Sequence, residues 1–113
     1  MIIYYSTKKL EKQCNKESLG NKAFGSKLAG KIRQRLKEFE AASSLQVISK
    51  LPPARCHELK GNRKGSLAVD LTDNMRLVFV PDHTPISLLP TGGLDWSAVT
   101  KIIIMEVTDY HGD

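Results

Sequence analysis

The hydrophobic period of this chain changes at Pro52-Pro53, and that change limits the folds open to it. Upstream, Phe24, Leu28, Ile32, Leu36 and Phe39 recur at helical spacing, with Lys27, Lys31, Arg33, Arg35 and Lys37 on the other faces. The spacing predicts an amphipathic helix from about Lys22 to Ala41, roughly 27–30 Å long at 1.5 Å per residue. Gly25 and Gly30 weaken it locally, each by about 1 kcal/mol relative to Ala. Ahead of it, Ile2 to Tyr5 is β-prone, and Ser6 can cap a short helix to about Asn15 with Leu10 and Cys14 on one face. Lys16 to Asn21 reads as a loop. Ser43 or Ser44 can cap a further short helix carrying Leu45, Val47 and Ile48, which the two prolines end.

Downstream the period is that of a strand. Leu67, Val69 and Leu71 alternate with Ala68 and Asp70, then Thr72-Asp-Asn-Met75 supplies turn chemistry before Arg76-Leu-Val-Phe-Val80, a β-hairpin pattern. Pro81 to about Ser97 holds three prolines, two adjacent glycines and the only Trp, a long excursion before the β-branched run from Lys101. Helices first and hairpin strands second predict an α+β domain, with N-terminal helices packed on one face of a small antiparallel β-sheet. At 113 residues the chain is read as one domain, 1–113, able to bury roughly two thirds of its unfolded surface. There is no internal repeat and no low-complexity tract.

Cys14 and Cys56 are far apart and lack paired spacing, which fits a reducing compartment, although spacing leaves a single bridge open. The N-terminal Met1-Ile-Ile-Tyr-Tyr lacks the apolar core of a secretion signal, and no run approaches membrane-spanning length. The expectation is a cytoplasmic protein with no membrane partner. The net charge of +5 conceals an asymmetry: residues 1–64 carry 15 Lys and Arg against 5 acids, and residues 65–113 carry 2 against 7. The first half is therefore a candidate for binding a polyanion, set against the plainer reading of a solvated lysine-rich helix face.

Two segments carry chemistry. Arg55-Cys-His-Glu-Leu-Lys-Gly-Asn-Arg-Lys-Gly65 is a basic loop whose glycines allow close backbone approach. Lys60, Arg63 and Lys64 can neutralise phosphate, and His57 can exchange a proton near neutrality. Gly61 and Gly65 lack the order of a nucleotide-binding P-loop. The last strand ends on Asp109, Tyr110 and His111, and a sheet could bring these to one end with Arg76 between. Plainer readings stand beside these: His57 as a satisfied loop histidine or half of a zinc site, Arg76 ion-paired with Asp70 or Asp73, and Tyr110 as a buried aromatic. The two unpaired cysteines argue against metal. Trp96 reads as a core or loop anchor, and His83, in a polar turn, is assigned no role.

His57-x-Leu-Lys-Gly-x-x-x-Gly65, a hairpin ending in Arg76-Leu-x-Phe79, the Gly-Gly-Leu-Asp-Trp96 insertion and the terminal Asp109-Tyr-His111 together resemble the HigB branch of the RelE/ParE toxin superfamily. The resemblance covers about residues 22 to 111. It implies a RelE-like fold and a ribosome-dependent endoribonuclease that cleaves mRNA in the A site, paired with a HigA-like helix-turn-helix antitoxin. It also implies His57, Asp109, Tyr110 and His111 as catalytic candidates, with Lys60 and Arg76 contacting phosphate and no metal or cofactor. The insertion from Pro81 to Ser97 departs from the shortest members, and with it the expected antitoxin docking and substrate access. Two other functions remain: a ParE-like toxin that binds DNA gyrase without nuclease activity, and a non-toxic basic nucleic-acid-binding regulator. The chain shows no clear helix-turn-helix pattern, which weighs against a DNA-reading suppressor.

Overall fold

The computed structural model describes residues 1–72 and 74–110. Among the described residues, four helices and five strands form two layers. The strands are β1 (Ile2–Tyr5), β2 (His57–Glu58), β3 (Leu67–Asp70), β4 (Met75–Pro81) and β5 (Lys101–Asp109), arranged in the order β1-β5-β4-β3-β2. The helices are α1 (Lys8–Asn15), α2 (Glu17–Phe24), α3 (Ser26–Ala41) and α4 (Leu45–Ile48).

The α+β architecture expected from the period change is present, and the hairpin is β3 paired antiparallel to β4 through Leu67↔Phe79 to Asp70↔Arg76. The sheet is mixed rather than wholly antiparallel. β1 runs parallel to β5, from Ile2↔Lys101 to Tyr5↔Ile104, because the helical layer carries the chain back across the sheet between them.

Three helical expectations are corrected. Thr7, not Ser6, caps α1, its hydroxyl accepting from the Leu10 N–H at 3.0 Å. Lys16 to Asn21 is not a loop, since α2 begins at Glu17. The helix predicted from Lys22 is broken at Gly25, whose φ of 81° and ψ of 154° end α2 and begin α3 in a conformation closed to residues with a Cβ.

Alternation along β3 and β4 sends Leu67, Val69, Leu77 and Phe79 into a core with Ile32, Leu36 and Phe39 of α3, and Phe39 meets Phe79 edge to face at 5.1 Å. Ala68 and Val78 face the other way, joined there by Leu59. The excursion before β5 runs over the surface and is tied at both ends. Asp95 caps a short 3-10 turn at Trp96–Ala98, and Trp96 packs against the core as an anchor. His83 Nε2 accepts the Thr100 and Lys101 N–H groups at 3.1 and 3.3 Å. Among the described residues no helix is long and apolar enough to cross a membrane.

Candidate nucleic-acid interface

The sheet face turned away from the helices is where the chemistry collects. Register places His57, Ala68, Val78 and Glu106 on one rung, and Asp70, Arg76 and Thr108 on another two residues along. Alternation beyond Thr108 puts Tyr110 on the same face, where its N–H donates to Asn74 O at 3.0 Å. Three strands, the turn before β2 and the residue that follows β5 thereby bring Arg55, His57, Asp70, Arg76 and Tyr110 to one end of that face.

These groups interlock. Arg55 grips the Asp70 carboxylate with two donors, Nε to Oδ2 at 2.6 Å and Nη2 to Oδ1 at 3.0 Å. The Tyr110 hydroxyl donates to Asp70 Oδ1 and accepts from Arg55 Nη2 at 2.8 Å. The Arg76 guanidinium stacks on the Tyr110 ring at 4.8 Å, with Arg55 5.7 Å from the same centroid. Arg76 is only 1% exposed, so its charge is held within the protein beside the ring.

The proton positions follow from these contacts. Burial pushes the Asp70 carboxyl up, but the hydrogen bonds from Arg55 and Tyr110, with the nearby charges of Arg55 and His57, outweigh it and hold Asp70 below its usual 3.8. Burial and then the bond to Asp70 push the Tyr110 phenol above 10. At neutral pH the acid is therefore a carboxylate and the phenol keeps its proton. His57 Nδ1 lies 2.8 Å from Arg55 O. A carbonyl oxygen only accepts, so Nδ1 carries hydrogen, and in the neutral ring the lone pair lies on Nε2.

The structure brings together His57, Arg76 and Tyr110, but not the whole set expected from sequence. Asp109 pairs with Met75, which packs on the helix-side core, so alternation turns Asp109 away from the face that holds Tyr110. His111 lies outside the described residues. The basic loop sits at the other end of this face, because Leu59 bonds Ser66 while Asp70 ends β3 four residues later, roughly 13 Å along the strand. Lys60 and Lys64 are exposed there, and Arg63 reaches back to Glu106 at 2.8 Å. Among the described residues no group of three His, Cys, Asp or Glu is placed to hold a metal ion.

Arg55 and Asp70 were not expected in the site. Asp70 was legible as the residue across the hairpin from Arg76, but its partner is Arg55, which reaches it through a non-glycine left-handed turn at φ 43° that spacing does not announce. From the helix side, Lys27 and Lys31 line a groove of about 560 Å³ that also reaches Asp70. This strip of the outer face, the trough, carries Arg55, His57 and Arg76 toward one end and the exposed Lys60 and Lys64 at the other, a charge pattern suited to a single-stranded polyanion.

No protein-family profile and no curated protein sequence matches the chain. Solved structures do match it in fold. A YoeB/ParE toxin from Agrobacterium tumefaciens aligns over 98% of this chain and 100% of its own, at 10% identity and a TM-score of 0.54. A YoeB-YefM complex and a YoeB dimer, both from Staphylococcus aureus, each align over 98% of this chain and 97% of theirs at 19% identity, with TM-scores of 0.56 and 0.55. The likeness runs end to end and establishes the fold.

Proposed function

We propose that this chain is the toxin of a two-protein toxin–antitoxin pair, and that it acts as an endoribonuclease on mRNA at the ribosomal A site. One observation carries the reading: on a sheet face of the fold shared with YoeB/ParE toxins, His57, Arg76 and Tyr110 meet at one end of a trough with exposed lysines at the other. The motif resemblance to the HigB branch supplies the ribosome as the place of action and a HigA-like antitoxin as the partner. A relative in fold, YoeB, forms a complex with YefM, which is consistent with such a partner.

RNA supplies its own nucleophile, so the reaction needs positioned proton carriers and charge, not a bound metal. His57 Nε2, holding the lone pair, takes the 2′-hydroxyl proton as O2′ bonds to the adjacent phosphorus. The P–O5′ bond breaks and His111 returns a proton to O5′, leaving a 2′,3′-cyclic phosphate and a free 5′-hydroxyl. Arg76, stacked on the Tyr110 ring, offsets from beneath it the charge that builds on the phosphorane, Lys60 at the far end of the face neutralises a neighbouring phosphate, and Tyr110 stacks on a base or bonds to phosphate. Asp109, the other catalytic candidate that could act as base, fits that role less well on the opposite face.

The deciding experiment is mRNA cleavage in a reconstituted bacterial translation system with the native chain, His57→Ala and His111→Ala. Cuts on translated message at the A site that are lost in both variants support the reading. The burial of Arg76 favours a second reading, a gyrase-binding toxin without nuclease activity, because a cation sealed under a tyrosine is poorly placed to meet phosphate. Intact message together with growth arrest by the native chain would select it.

A further inference from the structure

We propose that Arg55 and Asp70 are positioning residues of this site, a pair that fixes the Tyr110 hydroxyl and sets which nitrogen of His57 carries the proton. The proposal rests on the nuclease reading for its catalytic consequence, but not for its geometry.

Asp70 is anchored from behind before it touches the site. Its N–H donates to Ala54 O at 2.8 Å, and its carbonyl accepts from Arg35 Nε at 2.7 Å, a guanidinium 3% exposed on α3. Arg35 also donates to Pro53 O at 3.0 Å, so one buried side chain ties α3 both to the turn that presents Arg55 and to the end of β3 that carries Asp70. The carboxylate of Asp70 then accepts from Arg55 and from Tyr110, leaving the ring one orientation over Arg76.

The second half of the device is backbone. Arg55 sits at φ 43°, a conformation costly for a residue with a Cβ, and the two-point ion pair of its own side chain helps hold it there. That turn aims the Arg55 carbonyl at His57 Nδ1. The same residue therefore orients the phenol with its side chain and the imidazole with its main chain. Arg55 is the surface member of the pair, with a side chain 56% exposed, whereas a purely structural ion pair gains little from a partner so accessible to water. The charged groups on this face beside Tyr110 and His57 are Arg55, Asp70 and Arg76, with Glu106, ion-paired to Arg63, on the rung of His57.

Asp70→Asn removes the charge and keeps the shape. In the folded variant the Tyr110 phenol, followed by NMR, is expected to titrate lower than in the native chain, and the ¹⁵N shifts of His57 to show a weaker preference for the Nδ1–H form. Cleavage per bound ribosome should fall roughly tenfold or more with ribosome affinity unchanged, the signature of lost orientation rather than lost binding. Combining it with Tyr110→Phe should cost no more than the larger single change, because both break one linkage. Native cleavage in folded Asp70→Asn, or losses that multiply independently in the double variant, would overturn the proposal. If Asp70→Asn does not fold, Tyr110→Phe carries the test, and undiminished cleavage overturns it. If the native chain cleaves no message, the nuclease reading fails by itself, and the Tyr110 titration and the His57 ¹⁵N shifts alone decide the pair: unchanged in Asp70→Asn, they refute it.

Discussion

Arg35 shows how a charge is retained in a core. At 3% exposure it is paired with Glu38 at 3.0 Å and gives its remaining donors to two carbonyls, so desolvation is offset at every face of the guanidinium. Arg35→Met keeps the apolar stem but leaves the Asp70 and Pro53 carbonyls without that donor, and should destabilise by about 2–4 kcal/mol in urea denaturation. Two thiols, one buried and one half-buried, set an alkaline limit. Burial pushes Cys14 from 9.0 up to about 11, and burial with the charge of Glu58 pushes Cys56 to about 12. The unfolded chain loses these protons first, so the stability they contribute is complete below pH 9 and is lost as pH rises through 11 to 12. The urea midpoint should therefore fall between pH 9 and 11, less steeply in Cys56→Ala. At this scale the sequence revealed residue types better than partners. His57 stood out because few groups can move protons near neutrality, and Tyr110 because it ends a strand between an acid and an imidazole, whereas Arg55 enters the site only through one left-handed turn.

At the scale of elements, α2 is the instructive case. Glu-Ser-Leu-Gly-Asn-Lys-Ala-Phe has no strong apolar stripe and a central Gly20, so periodicity had nothing to detect. What makes it a helix is packing on α1 and α3. A Cβ on Gly20 would lie 2.6 Å from Gln13 O and 3.4 Å from the Ala29 side chain, so the glycine permits a close approach of backbones. Intrinsic propensity says Gly→Ala inside a helix stabilises by about 1 kcal/mol, and the contact says the reverse. Because the obstructing atom is backbone, we expect the contact to win, with Gly20→Ala lowering stability by about 1–3 kcal/mol in urea denaturation. A stabilised variant would show instead that α1 and α2 can slide apart. The strands were more legible than the helix boundaries because each has one buried face and a strict period of two. β1 was visible as a β-prone run, but its parallel docking on β5 depends on a contact some hundred residues away in sequence.

Across the whole molecule, charge and shape divide the same way as the sequence. The basic first half becomes the helical layer and the loop at one end of the trough, while most of the acids fall in the second half. A polyanion can thus be drawn to either side of a body 44 × 29 × 26 Å, and total affinity for RNA does not say which. Salt dependence can. Each single-strand phosphate neutralised contributes about −0.7 to the slope of log affinity against log salt. Lys60 and Lys64 are exposed at the trough, so Lys60→Ala with Lys64→Ala should make the slope shallower by about 1.4. Lys9 and Lys12 lie on the outer helices, and their double alanine variant should leave the slope unchanged if RNA lies in the trough. Arg63 is already paired with Glu106, and Arg76 is sealed beneath Tyr110, so replacing either should change the slope by less than one full phosphate. An RNA that loses its salt dependence with Lys9 and Lys12, and keeps it without Lys60 and Lys64, binds the helical layer. In that event the trough is not the path of the message.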